Sequence, residues 1–401
     1  MTKKTGRTTK YAVLIGDGIA DYEIEELGGR TPLEVARTPN MDAIARQGIG
    51  GLVQTIPEGR HPGSDVANLE ILGYDARVHY TGRAPLEAAS MGVPLEDDEV
   101  AFRCNLITTD GERIVDYSAG HISTEEGAAL IRWIQRALGN EQIRFYPGVS
   151  YRHLMVMKGG PEEIRTTPPH DIMGERMVDQ LPVGEQAQVV RDLMGRSAEV
   201  LVEAEVNQRR IAEGKRPATQ IWLWGSGKAL RLPSLRQRWG MEGGVISAVD
   251  LVKGIGICAG LRVIEVPGIT GYLDTNYAGK AAYAVEALKE LDFVYVHVEA
   301  PDEASHNGDV EAKIQAIEDF DALVVGPVLE GLRSFGDFRL MVLPDHRTPL
   351  SVRTHTREPV PVAIFGTHGG MGLMSGFSER EAKKGMLQIQ VGHRLIEHLF
   401  Q

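Results

Sequence analysis

Residues 11–18 have the sequence YAVLIGDG, a short apolar segment that runs directly into Gly16, Asp17 and Gly18. An apolar run of this length is typical of a strand that is buried on both faces of a parallel sheet. Functional groups of open α/β sheets gather in the loops beyond the carboxyl ends of such strands. The stretch therefore predicts a central strand of an α/β fold over residues 11–16, with Asp17 as a candidate metal ligand at its end.

The same pattern returns in the last third of the chain. Apolar segments at 293–298, 339–343 and 360–365 are predicted strands, and helical patterns occupy 278–291 and 310–333. Strands that alternate with helices favour an α/β fold with a largely parallel sheet flanked by helices.

The middle of the chain contains a second set of elements. We predict strands at 100–108, 153–157 and 219–224, and helices at 123–138 and 184–213. Because both ends of the chain supply strands of the same type, we expect residues 1–76 and 241–401 to form one core domain. Residues 77–240 would then be an inserted, smaller α/β domain.

Composition restricts the class of protein. The 401 residues include 43 Lys and Arg against 55 Asp and Glu, a formal net charge of −12. This charge argues against a nucleic-acid partner, because phosphate backbones are bound by Lys and Arg. The two cysteines, Cys104 and Cys258, form no C-x-x-C motif and predict no disulfide framework. The apolar segment after the basic N-terminal residues is too short for a signal sequence, and no stretch suits a membrane span, so we expect a cytoplasmic protein.

Ser64 lies in residues 61–69, HPGSDVANL, where a helical pattern begins. Val66, Leu69 and Leu72 would share one face, which places Ser64 at the N-terminus of the helix. One interpretation is a serine that caps the helix. The other is a nucleophile whose attached phosphate would lie against free N–H groups at the positive end of the helix dipole. The spacing is compatible with both.

Asp and His side chains follow two of the predicted strands. Asp302 and His306 are four residues apart, so on a helix they would share a face and could bind a divalent metal. A capping Asp and a solvated His explain that pair equally well. Asp345 and His346 directly follow the strand at 339–343, and His355 comes nine residues later.

Asp17 brings this set to three Asp and three His at strand ends or in the loops that follow. Mixed oxygen and nitrogen ligands suit Mn²⁺, Zn²⁺ or Mg²⁺. Two such ions about 4 Å apart are a common apparatus for phosphoryl transfer. The residues thus suit a metal-dependent phosphotransferase, and a catalytically silent metal- or phosphate-binding protein is the alternative from another class.

Longer motifs give the chain a family resemblance. It resembles the archaeal-type 2,3-bisphosphoglycerate-independent phosphoglycerate mutases of the alkaline phosphatase superfamily over essentially its whole length. The resemblance rests on residues 16–18, 38–42, 63–68, 86–89, 117–121, 272–280, 302–306 and 345–346. It implies an alkaline-phosphatase-like core with an inserted substrate-binding domain.

The resemblance also implies a mechanism with a phosphoserine intermediate. Ser64 would be the nucleophile, and Lys280 would lie beside the transferred phosphate. The implied ligands are Asp17, Ser64, Asp345 and His346 for one divalent metal, and Asp302, His306 and His355 for the other. Mn²⁺ is preferred, with Zn²⁺, Co²⁺ and Mg²⁺ as alternatives, and neither 2,3-bisphosphoglycerate nor a nucleotide is expected as cofactor. His121, Arg152 and His153 are the candidates to bind the substrate.

The expected reaction is the glycolytic interconversion of 3-phosphoglycerate and 2-phosphoglycerate, a small phosphorylated metabolite. A homoserine kinase-like phosphotransferase of the same superfamily is the alternative, and a simple phosphatase is a third. Larger bacterial mutases hold substrate with an Arg-rich segment, whereas residues 224–228 here are WGSGK and the next arginine is Arg231. The sequence therefore leaves open which residues bind glycerate, and it predicts no oligomeric state.

Overall fold

The computed structural model describes residues 9–370 and 372–401. Most of the basic N-terminal stretch lies outside the described residues. The chain divides into two compact units: the first combines the segment that ends at Tyr80 with Arg231–Gln401, and the second is Thr81–Leu230.

Strands of both units are numbered in chain order. They are β1 Lys10–Gly16, β2 Ile49–Val53, β3 Glu99–Thr109, β4 Ile114–Asp116, β5 Ile143–Val149, β6 Arg152–Lys158, β7 Ile164–Arg165, β8 Val183–Gly184, β9 Gln220–Gly227, β10 Gly243–Ile246, β11 Arg262–Val263, β12 Phe293–Val298, β13 Phe338–Leu343, β14 Val360–Gly366 and β15 Leu387–Ile389.

Helices are numbered in the same way. They are α1 Pro32–Val35, α2 Pro39–Gln47, α3 Ser64–Ile71, α4 Ala76–His79, α5 Arg83–Ser90, α6 Thr124–Leu138, α7 Ala187–Val202, α8 Glu205–Ala212, α9 Leu235–Trp239, α10 Asp250–Cys258, α11 Tyr277–Ala287, α12 Ala300–Asn307, α13 Val310–Phe320, α14 Gly326–Arg333, α15 Glu379–Ala382 and α16 Leu395–Phe400. A π-helical turn, Asp321–Val325, joins α13 to α14.

The first unit is built on an eight-stranded sheet of order β11-β10-β12-β1-β13-β14-β2-β15. Strands β11, β10, β12, β1 and β13 are parallel, whereas β14 runs antiparallel to both β13 and β2. Aliphatic side chains of β1, β12 and β13 form one core with α11, α13 and α14. The predicted α/β fold with a largely parallel sheet is confirmed.

The centre of this sheet determines where the functional loops meet. Gly16 at the end of β1 pairs with Val298 at the end of β12, and Ile15 pairs with Leu343 at the end of β13. The loops that begin after these three strands therefore leave the same edge of the sheet side by side. This register brings Asp17, the start of α12 and Asp345 together, although they are far apart in sequence.

The second unit contains an antiparallel sheet of order β4-β3-β6-β5, with β9 also paired to β3. Helices α6 and α7 contribute to the main hydrophobic core of this sheet, and α5 contributes to a smaller cluster. The helix predicted over 184–213 is instead two helices. Ala204 between them is extended, and Asn207 Nδ2 of the second helix donates to Leu201 O of the first at 2.8 Å.

Candidate active site

Ser64 is the first residue of α3, and the cap position belongs to Gly63. The hydroxyl makes no capping hydrogen bond. Its Oγ lies 3.1 Å from His346 Nε2 and 3.5 Å from Asp17 Oδ2. The interpretation of Ser64 as a helix cap is therefore wrong, because its side chain points at the predicted ligands.

Asp17, Asp345 and His346 form a buried cluster beside Ser64, and their ligand atoms lie close enough together to bind one metal ion. His346 Nε2 is 3.5 Å from Asp17 Oδ1 and 3.6 Å from Asp345 Oδ2. Burial, together with the nearby carboxylates of Asp345 and Asp302, raises the pKa of Asp17 well above its ordinary value. Asp17 Oδ1 has no hydrogen-bond partner among the described residues. A divalent cation fits this set, since it would supply the missing partner and balance the charge.

A second cluster contains Asp302, His306 and His355. Asp302 Oδ2 lies 3.0 Å from His306 Nε2 and 3.6 Å from His355 Nε2, and the two imidazole nitrogens are 3.1 Å apart. Burial opposes ionisation, but hydrogen bonds from His306 and His355 hold the pKa of Asp302 well below its ordinary value. One carboxylate oxygen and two imidazole nitrogens thus converge as a metal would require. His346 also lies within reach of Asp302 and His355, so it borders both clusters.

His297 and Asn68 contact the first cluster, and the sequence interpretation missed both. His297 is buried in β12 with Nε2 3.1 Å from Asp17 Oδ2, and burial lowers its pKa to about 4. The only sequence signal was a histidine in an otherwise apolar strand. Asn68 Nδ2 donates to Ser64 O at 2.8 Å and to Asp345 Oδ2 at 3.0 Å. Asn68 therefore fixes the start of α3 against the loop that follows β13.

Lys280 is fully buried in α11, and its Nζ donates to the carbonyl oxygen of His297 at 2.8 Å. Burial lowers its pKa to about 8. The ammonium is therefore at the carboxyl end of β12, near the strand end that leads to Asp302. A role beside the transferred phosphate stays a prediction.

Two of the three predicted substrate-binding residues are exposed on the second unit. His121 is exposed in a loop with φ 47°, and its N–H donates to Ser118 Oγ at 3.1 Å. Arg152 is exposed at the start of β6. His153 is only 1% exposed, and its Nδ1 accepts from Gly148 N at 3.0 Å. His153 Nε2 has no hydrogen-bond partner among the described residues, and its role in substrate binding stays a prediction.

Arg103 is a further candidate in the second unit that the sequence interpretation missed. Its guanidinium lies 4.2 Å from the Trp224 ring centroid, and Nη2 is 2.9 Å from Glu87 Oε1. Its Nε has no hydrogen-bond partner among the described residues. Burial lowers the pKa of Arg103, and the positive charges of Arg83 and Arg152 act in the same direction. The buried Nε without a partner would suit an anionic group, which a guanidinium binds through charge-assisted hydrogen bonds.

The three arginines of this group, Arg83, Arg103 and Arg152, were hard to recognise in the sequence because they lie on separate elements of the second unit. Arg83 lies at the start of α5, Arg103 in β3 and Arg152 in β6, so no Arg-rich motif exists.

Within the described residues, each helix is too short or too polar to cross a bilayer.

Comparison with known proteins gives a consistent result. A family model described as 2,3-bisphosphoglycerate-independent phosphoglycerate mutase matches residues 45–207. A probable enzyme of that name from Geobacter sulfurreducens is 54% identical over 393 residues, which cover 97% of this chain and 98% of the relative. An enzyme of that name from Methanothrix thermoacetophila is 54% identical over 391 residues, with 97% and 99% covered.

Solved structures agree with these relatives. A protein from Pyrococcus horikoshii has 31% identity and a TM-score of 0.83, with 98% of this chain and 97% of that chain covered. A cofactor-independent phosphoglycerate mutase from Thermoplasma acidophilum has 26% identity and a TM-score of 0.68, with 98% and 99% covered.

Proposed function

Because the chain belongs to the 2,3-bisphosphoglycerate-independent phosphoglycerate mutases, we propose that Ser64 is the nucleophile through which it interconverts 3-phosphoglycerate and 2-phosphoglycerate. The observation that supports this role is the position of Ser64 Oγ, 3.1 Å from His346 Nε2 at the first residue of α3. The free N–H groups and the dipole of the helix favour a negatively charged group at that end.

Two divalent cations complete the proposed site, and its three imidazoles favour Mn²⁺ or Zn²⁺ over Mg²⁺. Asp17, Ser64, Asp345 and His346 would hold one ion, and Asp302, His306 and His355 the other. The unpartnered Asp17 Oδ1 and the facing nitrogens of His306 and His355 support this assignment. Bound ions would lower the pKa of the serine hydroxyl and neutralise phosphate oxygens.

The chain's own residues carry the transfer itself. Ser64 Oγ loses its proton and attacks phosphorus in line, the bond from phosphorus to the glycerate oxygen breaks, and that oxygen takes up a proton. Phosphoserine and glycerate result. The other glycerate hydroxyl then loses its proton and attacks phosphorus, the bond from phosphorus to Ser64 Oγ breaks, and Ser64 Oγ takes up a proton. Lys280 stabilises the charge of the phosphate during both steps.

The second unit would bind the glycerate. Its carboxylate is an anion, and guanidinium groups hold carboxylates with charge-assisted hydrogen bonds. Arg103 and Arg152 are the proposed ligands, together with the exposed His121. This arrangement takes the place of the Arg-rich segment of the larger bacterial enzymes.

The Ser64 assignment is tested in an enolase-coupled assay without added 2,3-bisphosphoglycerate. Ser64→Ala should lower kcat by roughly 10³-fold or more, since the nucleophile is removed. Ser234→Ala is a matched control, because Ser234 caps α9 and its hydroxyl accepts from Gln237 N. Full activity of Ser64→Ala would exclude the mechanism. Mass spectrometry of enzyme quenched during turnover should find phosphate on the peptide that contains Ser64.

A further inference from the structure

Thr348 lies between the two metal-ligand clusters and contacts one residue of each. It is fully buried, its Oγ1 donates to Asp302 Oδ1, and the same Oγ1 lies 3.2 Å from His346 Nδ1. We propose that Thr348 is a positioning residue that fixes the tautomer of His346 and links the two clusters through one hydroxyl group. This inference rests on the proposed function in one respect, namely that His346 is a metal ligand.

The direction of these hydrogen bonds follows from the number of protons. A threonine hydroxyl has one proton to donate, and an ionised carboxylate can only accept. The contact with Asp302 Oδ1 therefore uses the Thr348 proton. Thr348 Oγ1 can then offer only a lone pair to His346. His346 Nδ1 must therefore carry a proton and donate it to Thr348 Oγ1. Protonation at Nδ1 leaves His346 Nε2 with a free lone pair in the neutral imidazole.

This tautomer matters for metal binding because His346 Nε2 faces the proposed metal ligands. Nε2 faces Ser64 Oγ at 3.1 Å, Asp17 Oδ1 at 3.5 Å and Asp345 Oδ2 at 3.6 Å. The carboxylate of Asp345 would favour a proton on Nε2, which would block cation binding. Thr348 opposes this preference and presents the ring ready for a metal. Outer hydrogen bonds of this kind orient metal-bound histidines and fix their tautomer.

The surrounding backbone holds Thr348 in place. Its N–H donates to Ala20 O at 3.2 Å, and its carbonyl accepts from the buried Lys313 Nζ at 3.0 Å. Gly18 leaves the space that the hydroxyl occupies. A Cβ at Gly18 would lie 2.6 Å from Thr348 Oγ1 and 2.7 Å from Asp302 Oδ1. Both the loop after β1 and α13 thus constrain the residue.

The first test uses the unmodified protein without metal. Long-range ¹H–¹⁵N NMR correlations distinguish protonated from unprotonated imidazole nitrogens, and the His346 signals are assigned by their absence in His346→Asn. We expect the proton on Nδ1. A proton on Nε2 would overturn the inference, and this result does not depend on any Thr348 variant folding.

The second test measures Mn²⁺ binding by titration calorimetry. Thr348→Val removes the hydroxyl at nearly constant shape and should weaken binding roughly 10–100-fold, with the His346 proton moving to Nε2. Thr348→Ser keeps the hydroxyl and should stay close to wild type. Thr55→Val is the matched control, because Thr55 is buried and its Oγ1 has no hydrogen-bond partner among the described residues.

Each outcome of the second test is informative. Wild-type affinity and tautomer in Thr348→Val, or equal weakening in Thr348→Ser, would overturn the role of the hydroxyl. An active Ser64→Ala enzyme with the expected tautomer would exclude the proposed mechanism and leave the role of Thr348 intact.

Discussion

The Nε2 atoms of His306 and His355 lie 3.1 Å apart at the end of α12. Two neutral imidazoles that both present lone pairs would repel each other, so this contact requires a proton or a cation. His306 Nδ1 lies 2.9 Å from Arg353 O and must donate to it, because a carbonyl oxygen only accepts. His306 Nε2 also lies 3.0 Å from Asp302 Oδ2, and this hydrogen bond raises the pKa of His306, so His306 is protonated in the metal-free protein. In the proposed site the two histidines would instead be metal ligands.

The protonation of His306 predicts that the free energy of unfolding of the metal-free protein depends on pH. The hydrogen bond to Asp302 raises the pKa of His306 to about 9, above the unperturbed value of about 6.5. A histidine whose pKa is raised on folding stabilises the folded state. Its full contribution is present at pH values below the pKa of the unfolded chain, and it is lost as pH rises through the folded-state pKa of about 9. Urea unfolding in chelator should thus show that His306→Gln lowers the free energy of unfolding at low pH and that the loss shrinks as pH rises.

His61→Gln is the control for that experiment, because His61 is exposed in the loop before α3. Its effect should stay small throughout the pH range. A loss in His306→Gln that is equal at both ends of the range would contradict the prediction.

Asn68→Leu should impair both stability and catalysis. The variant leaves Asp345 Oδ2 and the buried Tyr295 hydroxyl without the amide that contacts them, which costs about 1–3 kcal/mol in the free energy of unfolding. Because Asn68 also fixes the carbonyl of Ser64, kcat should fall as well. Denaturant unfolding and the enolase-coupled assay measure the two effects.

The matched variant is Asn207→Leu in the second unit, where a buried amide donates to Leu201 O and Ala218 O. We expect a comparable loss of stability with kcat unchanged in the folded protein. Equal kcat in the two variants would show that Asn68 has no effect on Ser64 beyond stability.

Lys313→Met should destabilise the first unit strongly. Lys313 Nζ and Asp21 Oδ2 are 2.7 Å apart and both residues are buried. Removing one partner of a buried pair costs about 3–5 kcal/mol, because the other charge stays buried. The exposed pair of Arg333 and Glu330 is the comparison, and Arg333→Met should cost at most about 1 kcal/mol. Similar midpoints of urea unfolding for both variants would be inconsistent with this view.

Arg103→Met should raise KM for phosphoglycerate, and it should also lower the free energy of unfolding, because Glu87 loses its buried partner. A hydrogen bond to a charged group contributes about 1.5–3 kcal/mol, so we expect KM to rise roughly 10–100-fold. Arg136→Met is the control, since Arg136 lies over Trp133 in α6 of the same unit with a separation of 5.3 Å. Steady-state kinetics decide the matter, and an unchanged KM in Arg103→Met would remove Arg103 from the substrate site.

Much of the fold could be predicted because local patterns determine it. The strand Phe293–Val298 has the predicted bounds, and β1 differs from its prediction by a single residue, Lys10. Continuous apolar runs of this kind have few alternatives in a soluble α/β protein. The break between α7 and α8 was missed, since no glycine or proline marks it. The buried bonds of Asn207 to Leu201 and Ala218 come from the tertiary structure.

The sequence by itself determined the class of fold, the family, and the Asp and His residues that end its central strands. The reason is that strand periodicity and short motifs are local properties of the chain. Only the tertiary structure decided that Ser64 faces His346, that His346 borders both clusters, and that Thr348 bridges them. Those relationships depend on the register of β1 with β12 and β13. The register joins residues far apart in the chain, Gly16 with Val298 and Ile15 with Leu343, and no local pattern encodes it.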